Sequence, residues 1–222
     1  MCPAFWRSSL PSQSSPPAEA DRQLPVGEEI FLDHVGHFVR DPDAAARALM
    51  RAGFAPAPVS IQVATDSSGV QNRTGTGNVT AMFRRGYIEM LFKTADTAIG
   101  RELDVAMARY PGVHLAAFAV ADAARTHGRL AASGFRMRPL VEFQRPVDTG
   151  EGSGTAAFKV ARVEAGEMPE GRIQVLTHHT ENMVWQPRWL SHPNGALGLA
   201  SVTIVVADVA EAAARFARFT GR

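Results

Sequence analysis

The stretch Phe31–Phe54, with the sequence FLDHVGHFVRDPDAAARALMRAGF, decides the fold because its plan occurs again later in the chain. Residues 112–135, GVHLAAFAVADAARTHGRLAASGF, follow the same plan, and residues 200–221 follow it in outline. Each copy has a short apolar strand pattern, an Asp, an Ala/Arg-rich helical pattern and a final Gly. Self-similarity of this kind indicates a repeated structural unit.

The Asp and Gly residues of the repeat have a direct physical interpretation as helix boundaries. Asp41, Asp122 and Asp208 precede the three helical patterns, and Asp in this position accepts hydrogen bonds from free backbone N–H groups. Gly53 and Gly134 each follow their Asp by 12 positions (41 to 53 and 122 to 134). They suit the left-handed residue that ends many helices.

Apolar and β-branched runs after each helix predict three further strands per unit. These runs lie at about 60–64, 79–84 and 87–93 in the first unit, and at about 138–143, 155–163 and 172–177 in the second. The predicted fold class is therefore α+β, with paired βαβββ modules at residues 29–110 and 111–196. We expect the modules to form a curved, mixed-sheet half-barrel.

The two ends of the chain are expected to differ from these modules. Residues 1–28 contain five prolines among serines and small residues, which predicts a disordered leader. Residues 197–222 supply only the first strand and the helix of a third module. We interpret them as an incomplete module of a longer protein, and docking of this piece elsewhere on the fold is the alternative.

Composition limits the classes of partner. The net charge is +1, from 23 Lys and Arg against 22 Asp and Glu, so there is no electrostatic reason to expect nucleic acid. The longest apolar stretches are shorter than the roughly 18–20 residues of a membrane helix. Cys2 is the only cysteine, which excludes an internal disulfide. With no signal-peptide pattern, these features predict a cytoplasmic protein with a small-molecule ligand and neither a nucleic-acid nor a membrane partner.

Several short motifs accompany the repeat. They are LDHV at 32–35, TGTGN at 74–78, GYIE at 86–89, HHT at 178–180 and VWQP at 184–187. Together with the paired modules, they resemble the glyoxalase-like domain group of the vicinal oxygen chelate superfamily, which includes glyoxalase I, extradiol dioxygenases and bleomycin-resistance proteins. The resemblance covers about residues 30–222. It implies modules that close around a divalent metal ion, and it implies a homodimer.

The resemblance also implies metal ligands on the first and last strands of each module. His34 and Glu89 occupy these positions in the first module, and Gln174 aligns with Glu89 in the second. His34 aligns with Leu115, which has no ligating group, so three of four expected ligands are present. Imidazole, carboxylate and amide donors suit Zn, Mn, Fe or Ni. Glu89 would also be the catalytic base.

Three more residues are candidates for substrate binding. Asn78 ends the Gly-rich stretch 74–78, which precedes a strand pattern and is expected to be a loop or bulge that presents Asn78 to a ligand. His178 and His179 point to opposite faces of a strand, so we expect hydrogen bonding from His179 rather than shared metal ligation. Trp185 is expected to line a pocket, with a packed connection as its alternative.

These observations favour a metal-dependent lyase, isomerase or dioxygenase that acts on a small oxygenated molecule. The ion would serve as a Lewis acid for neighbouring substrate oxygens. The gap at Leu115 keeps a second interpretation open, a metal-free small-molecule binding protein of the same fold. A third interpretation is an inactive fragment of a longer enzyme.

Overall fold

The computed structural model describes residues 24–65, 68 and 70–222, so the predicted leader lies largely outside the described residues. The strands are β1 (Ile30–Val39), β2 (Ser60–Thr65), β3 (Gln71–Met82), β4 (Tyr87–Lys93), β5 (Gly112–Val120), β6 (Val141–Asp148), β7 (Ser153–Arg162) and β8 (Arg172–His178). The helices are α1 (Pro42–Arg51), α2 (Ala98–Arg109), α3 (Ala123–Ala132), α4 (Glu181–Val184) and α5 (Val209–Thr220), with a 3₁₀ turn at Pro187–Trp189. No helix within these described ranges has the length and apolar character needed to cross a bilayer.

The eight strands form one closed sheet in the order β1-β4-β3-β2-β6-β7-β8-β5. In each module the first strand runs parallel to the fourth, and the remaining neighbours are antiparallel. The modules meet at two seams, β1 with β5 and β2 with β6. The second seam closes the sheet, so the predicted half-barrel is a full barrel whose interior can hold side chains or one small ligand.

The helix boundaries predicted from Asp and Gly are confirmed. The side chain of Asp41 accepts the backbone N–H of Ala44 at the start of α1, and Asp122 does the same for two N–H groups of α3. Gly53 and Gly134 follow the two helices with φ of 82° and 88°. These are left-handed values that favour Gly.

The first strand predicted for the third module does not form, although the helix predicted for that module does. Residues 201–206 belong to no strand, whereas α5 begins directly after Asp208. A closed barrel has no free edge, so an added strand finds no backbone partner. Helix α5 instead buries Phe219 against the second module, beside Leu130 of α3.

Helix α2 is an element that the sequence patterns did not predict. The Thr97 hydroxyl accepts the backbone N–H of Gly100 and caps the first turn. Leu103 is fully buried in the apolar cluster that includes Phe38 and Leu115. The helix therefore closes one end of the barrel and connects the two modules.

Strand β6 also lies farther along the chain than predicted, ending at Asp148 instead of about residue 143. It continues through Pro146, which pairs with Thr155 of β7. On its other side, within the part of the chain that the structure describes, β6 pairs with β2 only at Phe143 and Gln144. Pro is tolerated where one side of a strand needs no donor, and this explains why the strand does not stop there.

Candidate active site

A small polar cavity of about 30 Å³ lies inside the barrel, enough for about two water molecules. Its wall contains one histidine and four charged side chains, namely His34, Glu89, Arg145, Arg162 and Arg172. Three guanidinium groups thus face one carboxylate. Because the three guanidinium groups outnumber the one carboxylate, the cavity wall carries a net positive charge.

A bulge in β1 brings two consecutive side chains into the interior. The pairing of β1 with β5 shifts register between Leu32 and His34, which leaves Asp33 without a partner on β5. Asp33 and His34 are both buried, and His34 Nδ1 lies 2.5 Å from Asp33 Oδ1. The Tyr87 ring stacks on His34 with centroids 4.4 Å apart. When Nδ1 donates to the carboxylate, Nε2 of the neutral ring is an acceptor that faces the cavity.

The turn before β4 fits this bulge closely. Gly86 has a φ of 70°, and a Cβ at this position would lie 2.7 Å from the backbone oxygen of Asp33. Only Gly permits both the left-handed conformation and the approach of β4 to the bulge.

Asp33 is held between two imidazole rings. Its Oδ2 accepts a hydrogen bond from His178 Nε2 at 2.8 Å, while Oδ1 contacts His34. Burial would raise the pKa of Asp33, but the adjacent His178 and His34 outweigh burial and hold this pKa well below its usual range. Trp185 packs edge-on against His178 at 4.8 Å. Asp33 is therefore an ionised, immobile carboxylate behind His34.

Glu89 approaches the same volume from β4. Its Oε2 lies 3.7 Å from His34 Nε2, so the two groups do not hydrogen-bond but can reach one small substrate. Asn78 Nδ2 donates to Glu89 Oε1 at 2.7 Å. Because only the amide NH₂ can donate to a carboxylate, this bond fixes the orientation of Asn78. The buried Asn78 Oδ1 has no hydrogen-bond partner among the described residues.

The three arginines differ in their partners. Arg172 pairs with Glu102 of α2 at 2.9 Å, and Arg162 Nε donates to Gln174 Oε1 at 2.9 Å. Arg145, which is 8% exposed, has no hydrogen bond and no ion pair with any side chain in the described ranges. Burial lowers the pKa of Arg145. Burial, together with the charge of Arg172, lowers the pKa of Arg162 to about 9.

The guanidinium groups stand between the interior and two outer pockets. Arg145 also lines a groove of about 120 Å³ formed by residues 57–60, 146–148 and 183–189. Arg162 and Arg172 also line a pocket of about 380 Å³ beneath α2. Both outer pockets therefore share positively charged lining residues with the interior cavity.

The residues of the cavity do not fit the divalent metal ion that the resemblance implies. Within the described ranges there is no group of three or more His, Cys, Asp or Glu side chains arranged to hold an ion. Gln174, the third expected ligand, uses its carbonyl oxygen to accept from Arg162. Three guanidinium groups around two donors, His34 and Glu89, would also repel a divalent cation.

A comparison of the sequence with known families identifies the family to which this barrel belongs. Residues 32–220 match the Glyoxalase-like domain family. The chain belongs to this family. The resemblance to the vicinal oxygen chelate superfamily is thereby confirmed, and it extends over both modules and α5.

Comparison with solved structures returns proteins of related architecture at low identity. Methylmalonyl-CoA epimerase of Streptomyces coelicolor, in complex with 2-nitronate-propionyl-CoA, is 17% identical, with a TM-score of 0.44 over 67% of this chain and 94% of the epimerase. A hypothetical protein from Staphylococcus aureus is 13% identical, with a TM-score of 0.48 over 73% of this chain and 65% of that protein. Identities of 13–17% and TM-scores below 0.5 give no information about the substrate or the chemistry of this chain. No curated protein matches the sequence significantly.

The predicted site residues of this glyoxalase-like protein fall into two groups. His34, Asn78, Glu89 and Gln174 all line the cavity. The predicted loop or bulge at 74–78 is part of β3: Thr74–Thr76 form a bulge opposite Gln62, and Asn78 follows it as a regularly paired residue opposite Ser60. Trp185 lies behind His178, outside the cavity wall. His179 is on the surface, 3.5 Å from Glu142.

Sequence patterns missed Asp33 and the arginines. Arg162 follows Phe158 and Val160 at alternate positions, and all three line the cavity. A charged residue in phase with the apolar face of a strand is the pattern that could have identified it. No comparable pattern marks Asp33, because its orientation depends on a bulge that the sequence does not reveal.

Proposed function

We propose that this glyoxalase-like protein is a lyase or isomerase that moves a proton on a small oxygenated molecule inside the barrel. The observation that carries the proposal is the buried Asp33–His34 pair, whose free Nε2 faces the cavity 3.7 Å from Glu89. A carboxylate that orients an imidazole in this way makes it an effective general base.

The reaction that these groups support begins on a carbon next to a carbonyl. His34 Nε2 takes the proton, the C–H electron pair forms the double bond of an enolate, and the negative charge moves to oxygen. Asp33 stabilises the imidazolium, and the positive cavity stabilises the enolate oxygen. Return of this proton from His34, either directly or relayed through the Glu89 carboxylate to another position of the substrate, completes an isomerisation with no net oxidation.

Of the reaction classes that the resemblance implies, lyase and isomerase chemistry need only proton transfer and a stabilised oxyanion. The cavity supplies both from its own side chains. General acid–base catalysis contributes about 10²–10⁴-fold, and loss of one oxyanion contact costs about 10²–10³-fold. These ranges set the size of effect expected from single substitutions.

A second candidate is a metal-free protein of the same fold that only binds its ligand. Its charged groups would then complement an anion without transferring a proton. The two candidates differ in one measurable property, which is exchange of a substrate proton with solvent.

The test is proton exchange in D₂O, followed by proton NMR over a panel of small 2-oxo acids and hydroxyketones. Wild type is expected to exchange the proton next to the carbonyl of at least one compound, and His34→Gln is expected to lose about 10²–10⁴-fold in rate. His37→Gln is the matched control, because His37 lies on the same strand but does not line the cavity. Prior reconstitution with Zn, Mn, Fe or Ni is expected to leave the rate unchanged. Binding without exchange would establish the second candidate.

A further inference from the structure

We infer that Arg145 binds a carboxylate of the substrate, and that the substrate is a small carboxylic acid with an oxygen substituent on the neighbouring carbon. This inference rests on the proposed function, because it assigns a substrate class to the same cavity. It draws on three observations: an unpaired cation, an unpaired acceptor, and the position of the cation on both the outer groove and the interior cavity.

The first observation is the isolation of the Arg145 guanidinium. A buried cation without a counter-ion is destabilising, and proteins retain one where a ligand supplies the opposite charge. Glu89 and Tyr87 act on Arg145 only through space, and neither forms a hydrogen bond or ion pair with it. A planar guanidinium accepts a carboxylate in a two-point contact.

Arg215 of α5 shows how the same chain treats a buried arginine that has a structural role. It is 7% exposed, as deeply buried as Arg145. Its guanidinium contacts both oxygens of Glu170 at 2.7 Å and Glu211 at 2.8 Å. The contrast indicates that Arg145 is reserved for a partner that the chain does not supply.

The second observation is the buried Asn78 Oδ1, which has no donor among the described residues. Its orientation is fixed by the bond from Asn78 Nδ2 to Glu89. A buried acceptor that is left without a donor is destabilising. A hydroxyl group of the substrate, or the enol hydroxyl of an intermediate, would donate to this oxygen.

The third observation is position. Arg145 lines both the outer groove and the interior cavity. A carboxylate held at Arg145 leaves the neighbouring carbon on the interior side, where His34 and Asn78 lie. The interior volume of about 30 Å³ limits that part of the substrate to a few atoms.

The experiment combines calorimetry and thermal melting at constant ionic strength, with glycolate as the probe and uncharged glycolamide as its control. Glycolate is expected to bind wild type, and glycolamide to bind at least about 10-fold more weakly. In Arg145→Met the affinity for glycolate should fall by about 10–150-fold, since hydrogen bonds to a charged group are lost.

Melting of the ligand-free variants separates recognition from structure. Arg145→Met should melt at or above the wild-type temperature, because it removes an unpaired buried charge. Arg215→Met, the matched control, should melt lower and should still bind glycolate. A lower melting temperature for Arg145→Met with unchanged glycolate affinity would overturn the inference.

Failure of this inference is distinguishable from failure of the proposed function. Proton exchange on an uncharged hydroxyketone, with no binding of glycolate or any 2-oxo acid, would overturn the assignment to Arg145 and preserve the proton-transfer function. Glycolate binding that depends on Arg145, with no exchange of any compound, would support the assignment and overturn the function.

Discussion

The two βαβββ modules share one backbone plan but bring different chemistry to the cavity. In the first module, β1 supplies His34 and β4 supplies Glu89. The aligned positions of the second module hold Leu115 and Gln174, which also face the cavity but neither take up nor release a proton. The acid–base groups therefore come from one module alone.

The second module contributes positive charge instead. Arg145, Arg162 and Arg172 all belong to its strands. In the proposed function, one half transfers protons and the other attracts an anion, so neither group needs a second copy. The comparison shows that backbone symmetry does not require symmetry of the side chains that line the cavity.

The largest expected effect is the loss of proton exchange in Asp33→Asn, which tests the acid–base role of the first module. An amide does not hold the His34 tautomer as a carboxylate does, so the exchange rate should fall by about 10²–10⁴-fold while the fold is retained. NMR exchange rates and circular dichroism check the two parts. A rate within threefold of wild type would show that Asp33 does not orient or activate His34.

A smaller effect, on the free energy of unfolding, is expected at the two glycines that follow the first helix of each module. At Gly53 an added Cβ would lie 2.8 Å from Asn194 Cβ, whereas at Gly134 it would meet nothing within 4 Å. Gly134→Ala should cost about 1–2 kcal/mol in free energy of unfolding, from the left-handed backbone alone. Gly53→Ala should cost about 1–3 kcal/mol more, from overpacking. Urea denaturation measures both, and equal losses would contradict the structural difference.

The smallest effect concerns the helix caps. The backbone N–H groups of Arg125 and Ala124 both bind the side chain of Asp122 and lower its pKa, whereas Asp41 accepts one such bond. Asp122→Ala should therefore lower the melting temperature at pH 7 by about 2–4 °C, and by more than Asp41→Ala.

The pH dependence follows from the direction of the Asp122 shift. A pKa lower in the folded than in the unfolded chain adds stability above the unfolded value, and this stability is lost as the pH falls through the folded pKa. The melting difference between wild type and Asp122→Ala should consequently shrink below pH 4. A difference that grew on acidification would contradict the cap.

Local patterns predicted the modules because helix boundaries depend on residues close in sequence, such as Asp122 and Gly134. They also indicated the strand positions of His34 and Glu89. Other features depend on contacts between distant strands. Closure of the barrel, the bulge at Asp33 and the isolation of Arg145 all arise from the pairing of the modules, which no short stretch encodes.

The two seams of the barrel are unequal, and this has a mechanical consequence. The seam of β1 with β5 is long and runs from Ile30 to Phe38, whereas among the described residues β2 pairs with β6 only at Val63 and Ala64. Separation of the modules at the short seam breaks the fewest backbone hydrogen bonds. Local opening of the barrel is therefore expected at the short seam, and faster amide hydrogen exchange at Val63 and Ala64 than along β5 would report it.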